Sequence, residues 1–552
     1  MRTRRASSAG RPVAAESRGG GAHDHRAPRK HTGAAAALVA TGILSSRILG
    51  LVRNSLIARY LGTSIAADAW NASFKIPNVL QNLFGEGALS AAFIPVYSRL
   101  LGEGHDDEAQ RTAGAVAAIL ALSVAVFVLV GVLAAPVLIY AIAPGFTGER
   151  RTLTVALTRV LFPGAGLLVM SAWCLGVLNS HRKFLISYTA PIAWNVVLIA
   201  ALLWWGRGND KAHLVTLLAW ASVVGSGLQF AVQLPAVRSV APQLRVTLDL
   251  AGSHVREVLR NFGPVFMSRG VVQISSYIDQ FLTSLFPNGM VTVFTFATTL
   301  YVLPVSLFGG SISVAELPEM SRTTVDDHER GGALRPRLDA GLRRIAFLVV
   351  PSAVAFVAIG DVLTRLIFEH GRFTATDAVY TWAVLAGSAV GLLAGTLGRL
   401  YSSTYYALRD TRTPLRFALV RVSLTAVLGA FFGLALPRIL GINVRWGVAG
   451  LSASAGMSAW VEFTLLRSRL NRRIGVTGLQ ARFTIILWAL AVASAALAVF
   501  VQRETESLNR FTASVLVIAV YGLAYLGGAL ALRVPEARGI LGGIGRRFRP
   551  SA

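Results

Sequence analysis

Sulfur and charge are both scarce in this chain: among 552 residues there is one cysteine, Cys174, and only 14% are charged. A lone thiol inside the apolar stretch 167–177 excludes a disulfide framework and a cysteine-ligated metal centre, and marks Cys174 as a small packing residue. Catalytic signatures are missing as well. The nine histidines never take the HExxH spacing, no GxxxxGK[ST] loop occurs, and no GxSxG lies on a strand-to-helix elbow. An ATP-driven pump and the common hydrolases are thereby excluded, and neither a resident metal nor a cofactor is expected. Acidic residues are the scarcest charge, 27 against 53 Lys and Arg. Residues 1–32 lack the apolar core of a secretory signal, so this Arg- and Gly-rich stretch reads as a disordered basic cytoplasmic tail.

Apolar surface is abundant. Hydrophobic residues make up 54% of the chain and the mean hydropathy is +0.58, more than a water-soluble domain can hide. Between residues 33 and 532 lie about fourteen apolar runs long enough to cross a hydrocarbon core of roughly 30 Å. The net charge of +26 comes from short basic clusters between these runs, which is a topology signal and not a nucleic-acid patch. Setting both termini in the cytoplasm puts most Lys and Arg on inside loops, as the positive-inside rule demands, and favours an even number of spans. The expected architecture is an all-α, multi-pass membrane protein.

An internal duplication is legible. GALSAAFIPVYSR (87–99) parallels GSISVAELPEMSR (310–322), and SSRILGLVRN (45–54) parallels MSRGVVQISS (267–276). The repeat spans an even number of helices, so two related six-helix lobes share one orientation about a pseudo-twofold axis along the membrane normal. The expected divisions are an N-lobe at 33–238, a C-lobe at 239–470, an added helix pair at 471–533 and a basic cytoplasmic C-tail at 534–552. A cavity between the lobes follows.

Charge inside a bilayer is costly and usually faces a cavity or a partner. Here it falls on Arg47, Arg53, Arg59, Asp68, Lys75, Glu86, Arg159, Arg269, Asp279, Glu316, Arg399, Arg421 and Glu462. Arg47 and Arg53, six residues apart, stand about 120° apart on a straight helix. A bend at Gly50 between them would turn both toward one chamber. With Arg269, the repeat mate of Arg47, they predict an electropositive centre suited to phosphate, whose oxygens match paired guanidinium donors. Asp279 and Glu316 are the carboxylates available for Na⁺ or H⁺ coupling, the membrane potential being the other candidate drive.

The stretch 45–98, SSRILGLVRNSLIARYLGTSIAADAWNASFKIPNVLQNLFGEGALSAAFIPVYS, resembles the opening of the MurJ (MviN) family of lipid II flippases, within the multidrug/oligosaccharidyl-lipid/polysaccharide exporter superfamily. IFEHGRFTATD (367–377) and YYALRDTRTP (405–414) are similar to later segments of that family. The resemblance implies transport of an undecaprenyl-diphosphate-linked glycopeptide across the bacterial inner membrane by alternating access, with the added helix pair forming a groove for the lipid tail. It also implies substrate-binding roles for Arg47, Arg53, Asp68, Lys75 and Glu86. Gln81 and Thr299 stand where the family carries arginines, and Arg269 is expected to restore part of that charge. Membrane lipids and cell-wall synthesis proteins are the further expected partners. Another undecaprenyl-diphosphate-linked glycan is the alternative cargo, and a scaffold for cell-wall enzymes is a third reading that leaves the intramembrane arginines without purpose.

Overall fold

The computed structural model describes residues 30–539 apart from 209, 250, 314, 315, 317–319, 321–333 and 506, and the side chains of 30–41, 43, 86 and 264–275 lie outside the described set. The basic tails before residue 30 and after 539, with part of the second repeat copy, therefore fall outside it. Among the described residues all regular structure is helical. Eleven helical units are long and apolar enough to span a membrane. Three more long helices, Lys30–Leu61, Ser253–Ser284 and Gly447–Ile474, accompany them, which is consistent with the expected fourteen.

The first half begins with α1 (Lys30–Leu61), which stays helical through Gly50. The second span, by contrast, is segmented into α2 (Ile65–Ser73), α3 (Lys75–Phe84), α4 (Glu86–Ala92) and α5 (Ile94–Gly102). Its sharpest break is at Gly85, where ψ swings to −155° and an added Cβ would sit 2.1 Å from the Gln81 carbonyl. Next come α6 (Asp106–Ile142), α7 (Gly148–Ser180), α8 (Phe184–Trp205) and α9 (Lys211–Val240). On α6 the exposed Leu122, Val126, Leu129, Leu133 and Val137 recur every three or four residues, an apolar stripe that faces lipid.

The second half comprises α10 (Ser253–Ser284), α11 (Met290–Pro304, extended by a π segment at Val305–Gly310), α12 (Leu334–Ala358), α13 (Gly360–Phe368), α14 (Ala375–Ala407), α15 (Arg412–Ala430) and α16 (Gly447–Ile474). Helices α14 and α16 touch through glycine: a Cβ on Gly391 would lie 2.2 Å from the Gly456 Cα. Small residues at such a crossing let backbones approach where lipid supplies no hydrophobic drive. The last pair, α17 (Ala481–Glu504) and α18 (Arg510–Ala531), pack on each other and on α12. The Tyr521 and Tyr525 hydroxyls donate to the carbonyls of Pro351 and Phe347 at 2.7 and 2.8 Å.

At one end of the bundle the two halves are tied together. The Arg372 amide donates to the Arg59 carbonyl at 2.9 Å, and the Thr63 hydroxyl to Asp377 at 2.7 Å. Asp377 also closes the capping box that starts α14 at Thr374, which explains the TATD signature locally.

Candidate transport cavity

Every polar side chain in a span must find a partner or water, because lipid offers neither. That requirement locates the site. Helices α1, α2, α3, α7, α8, α9 and α11 line a cavity of about 470 Å³ whose walls include Arg53, Asn71, Lys75, Gln81, Trp194 and Thr299.

Arg53 is fixed by neutral groups. Its Nη1 donates to Asn195 Oδ1 at 2.9 Å, and its Nε and Nη2 donate to Asn54 Oδ1 at 3.3 and 3.1 Å. The guanidinium also lies over the Trp194 ring, 4.7 Å from its centroid, a favourable arrangement for a cation. Trp194 is itself oriented by its indole N–H donating to Ser222 at 3.1 Å, and Asn195 by donation to the Pro191 carbonyl at 3.1 Å. The orientation of Arg53 is thus set by neutral groups, and no described carboxylate pairs with it. Asn54 donates onward to Thr299 at 3.3 Å, joining the first half to α11.

Helix α3 presents a second wall. Lys75, Asn78 and Gln81 recur every three residues, so they share one side, while Pro77, Leu80 and Phe84 are buried on the other. All three polar residues line the cavity. Arg47 is exposed and is not among the lining residues.

Asp68 lies apart from the cavity. It is fully buried, pairs with Arg150 at 2.7 Å, and accepts from the Gly289 amide (2.6 Å), the Thr292 amide (2.9 Å) and the Thr292 hydroxyl (2.8 Å). Both carboxylate oxygens are thus engaged, which leaves Asp68 as a tie between α2, α7 and the start of α11. Arg150 also packs over the Phe146 ring at 3.7 Å. Sequence reasoning missed Arg150 because it sits in the first turn of α7, where a cation looks like an ordinary interfacial residue.

Glu86 and Arg269 are in the span that breaks at Gly85 and in α10, and their side chains lie outside the described residues. Asp279 lines a separate polar recess with Tyr301, Arg399 and Arg421, and Lys75 acts on it electrostatically from across the interface between the halves. Glu316 pairs with Arg344 of α12 at 3.2 Å. Among the described residues no cluster of His, Cys, Asp and Glu could hold a metal ion.

The family model described as "Lipid II flippase MurJ" matches residues 57–521. The chain belongs to the MurJ family. A lipid II flippase MurJ of Burkholderia cenocepacia is 33% identical over 440 residues, covering 78% of this chain and 82% of that protein. A probable lipid II flippase MurJ of Rhizobium tropici is 30% identical, with coverage of 81% and 83%. Among solved structures, a lipid II flippase MurJ in an inward closed conformation superposes with a TM-score of 0.72 at 24% identity, covering 90% of this chain and 99% of that one. An inward-facing multidrug resistance MATE transporter of the MOP superfamily gives 0.60 at 17% identity, covering 79% and 98%. MurJ membership makes the chain a multi-pass membrane transporter, and the two structures support the helical fold. Gln81 and Thr299, the positions where the resemblance implied arginines, both line the cavity, as an amide and a hydroxyl.

Proposed function

We propose that this chain is a lipid II flippase, moving an undecaprenyl-diphosphate-linked glycopeptide from the inner to the outer leaflet of the bacterial inner membrane. The observation that carries this reading is Arg53, a guanidinium oriented by two amides and an indole yet neutralised by no described carboxylate, on the wall of a cavity between helices of both halves. A positioned, uncompensated cation away from bulk water is suited to an anionic headgroup. Lys75, which lines the same cavity from α3, is its natural partner for a diphosphate, and Asn78 and Gln81 extend that wall with neutral donors and acceptors for the glycopeptide.

Alternating access requires an end that closes. The ties at Asp68, Thr63 and Arg372 supply one, and the charge asymmetry of the loops supports its lying at the outer face, with both termini cytoplasmic. The lobes then divide as 33–238 and 239–470. The first helix of the added pair at 471–533, α17, joins α12, α14 and α16 around an apolar groove of about 680 Å³ lined by Val357, Trp460, Trp488, Val492 and Phe500, suited to the lipid tail. Asp279 is the candidate carboxylate for coupling to Na⁺ or H⁺, with the membrane potential as the alternative drive, and the basic tails offer contact to cell-wall synthesis proteins.

Complementation tests this directly. In a strain whose lipid II flipping can be switched off, the chain should restore growth and return lipid II to the outer leaflet, and Arg53→Ala at normal protein level should do neither. Growth without redistribution of lipid II between leaflets would sink the reading.

A further inference from the structure

The second half holds a polar recess that diphosphate binding leaves unused. Its volume is about 180 Å³, and its walls include Asp279, Tyr301, Arg399, Arg421, Thr425 and Ser452, drawn from five helices of that half. A pocket for a whole small ligand usually measures about 300–1,000 Å³, so this one has room for a single arm of a larger molecule.

Its charges are unevenly paired. Arg421 stands 3.4 Å from Glu462, and Asp279 lies in the fields of Lys75 and Arg421. Arg399 is exposed on α14 and forms no ion pair within 4.0 Å among the described residues. The Tyr301 hydroxyl likewise has no hydrogen-bond partner among them, while Arg399 and Arg421 both act on it electrostatically. Within the recess Arg399 and Arg421 face Asp279 and Glu462, and because Arg421 is the cation at ion-pair distance from Glu462, Arg399 is the one with no described partner at that range. Arg399 sits eight residues before the end of α14 at Ala407, about 12 Å of helix. A guanidinium at that depth persists where water or an anion meets it.

A planar guanidinium beside a phenolic donor matches a carboxylate, which takes two parallel N–H bonds and a third from the hydroxyl. The cargo's diphosphate belongs with Arg53 in the other half. We infer that the recess is a second subsite, which receives a carboxylate on the glycopeptide arm of the cargo. The inference rests on the transport reading above and adds where the peptide end of the molecule is held.

Binding to the full chain in lipid nanodiscs tests it, with three probes: undecaprenyl-diphosphate disaccharide pentapeptide with free carboxyls, the same lipid with its carboxyls methyl-esterified, and undecaprenyl diphosphate alone. The wild-type protein should prefer the free acid over the ester by about tenfold, the size of one charge-assisted hydrogen-bonded pair. Arg399→Gln should bring that ratio near one. A purely structural arginine would change both affinities together and leave the ratio alone. If Arg399→Gln does not fold, as judged by thermal unfolding, Tyr301→Phe carries the test and should lower the ratio severalfold. A ratio unchanged in the folded variant, or a wild-type protein indifferent to esterification, overturns the subsite. A wild-type protein that binds none of the three lipids removes the transport reading itself.

Discussion

At the scale of single residues, the cavity depends on what surrounds Arg53. Asn195 accepts from its guanidinium at 2.9 Å without cancelling its charge. Asn195→Asp keeps the shape and adds a carboxylate, so it should abolish lipid II flipping in leaflet-resolved assays while the protein still accumulates; normal flipping would show that Arg53 need not be free. Asp68 is the opposite case, a carboxylate whose partners are all internal. Breaking one side of a buried pair costs about 3–5 kcal/mol. Asp68→Asn should therefore lower the Tm of the purified protein markedly, and an unchanged Tm would remove the tie from the account. The sequence announced Arg53, Lys75 and Asp68 because intramembrane charge stands out against apolar runs. It was silent on Asn54, Trp194 and Asn195, since a neutral amide or an indole in a span leaves no comparable mark.

At the scale of elements, helix existence was legible from hydropathy, and breaks were less so. Gly50 invited a break and α1 stays helical through it, because one glycine in a long ladder of backbone hydrogen bonds does not by itself interrupt it. Gly85 does mark a break, at the foot of the α3 polar stripe. Between α14 and α15, the Asp410 carboxylate accepts from the Thr413 amide at 3.0 Å and the Thr413 hydroxyl at 2.8 Å, and pairs with Arg473 at 2.9 Å. Burial pulls that carboxyl upward, but these bonds outweigh it and hold it below the ordinary carboxylate range. A lowered folded-state value means its stabilisation is present above the unfolded value near 3.9 and is lost as pH falls through the folded one. Asp410→Asn should thus reduce Tm at neutral pH, with the gap to wild type closing below about pH 4; a gap independent of pH would assign the effect to shape alone.

At the scale of the whole molecule, the duplication implies two halves that move against each other, and the Thr63–Asp377 contact is where they meet at the sealed end. Thr63→Cys with Asp377→Cys offers a direct test on a quiet background, since the one natural thiol, Cys174, is buried. Bridging the pair with a thiol-reactive cross-linker should arrest flipping, and a cleavable linker should restore it on reduction. Continued transport with the bridge intact would mean that this end stays shut throughout the cycle.

Helix α11 carries two of the described contacts on one rod. Thr292 grips Asp68 at its start, and Thr299, seven residues on and about 10 Å along the axis, receives Asn54 beside the Arg53 headgroup position. A rigid rod cannot slip at one station without moving the other. Any cargo that pushes Thr299 aside therefore tugs on the Asp68 latch, so loading and release of the seal become two readings of a single displacement, with no separate messenger between them.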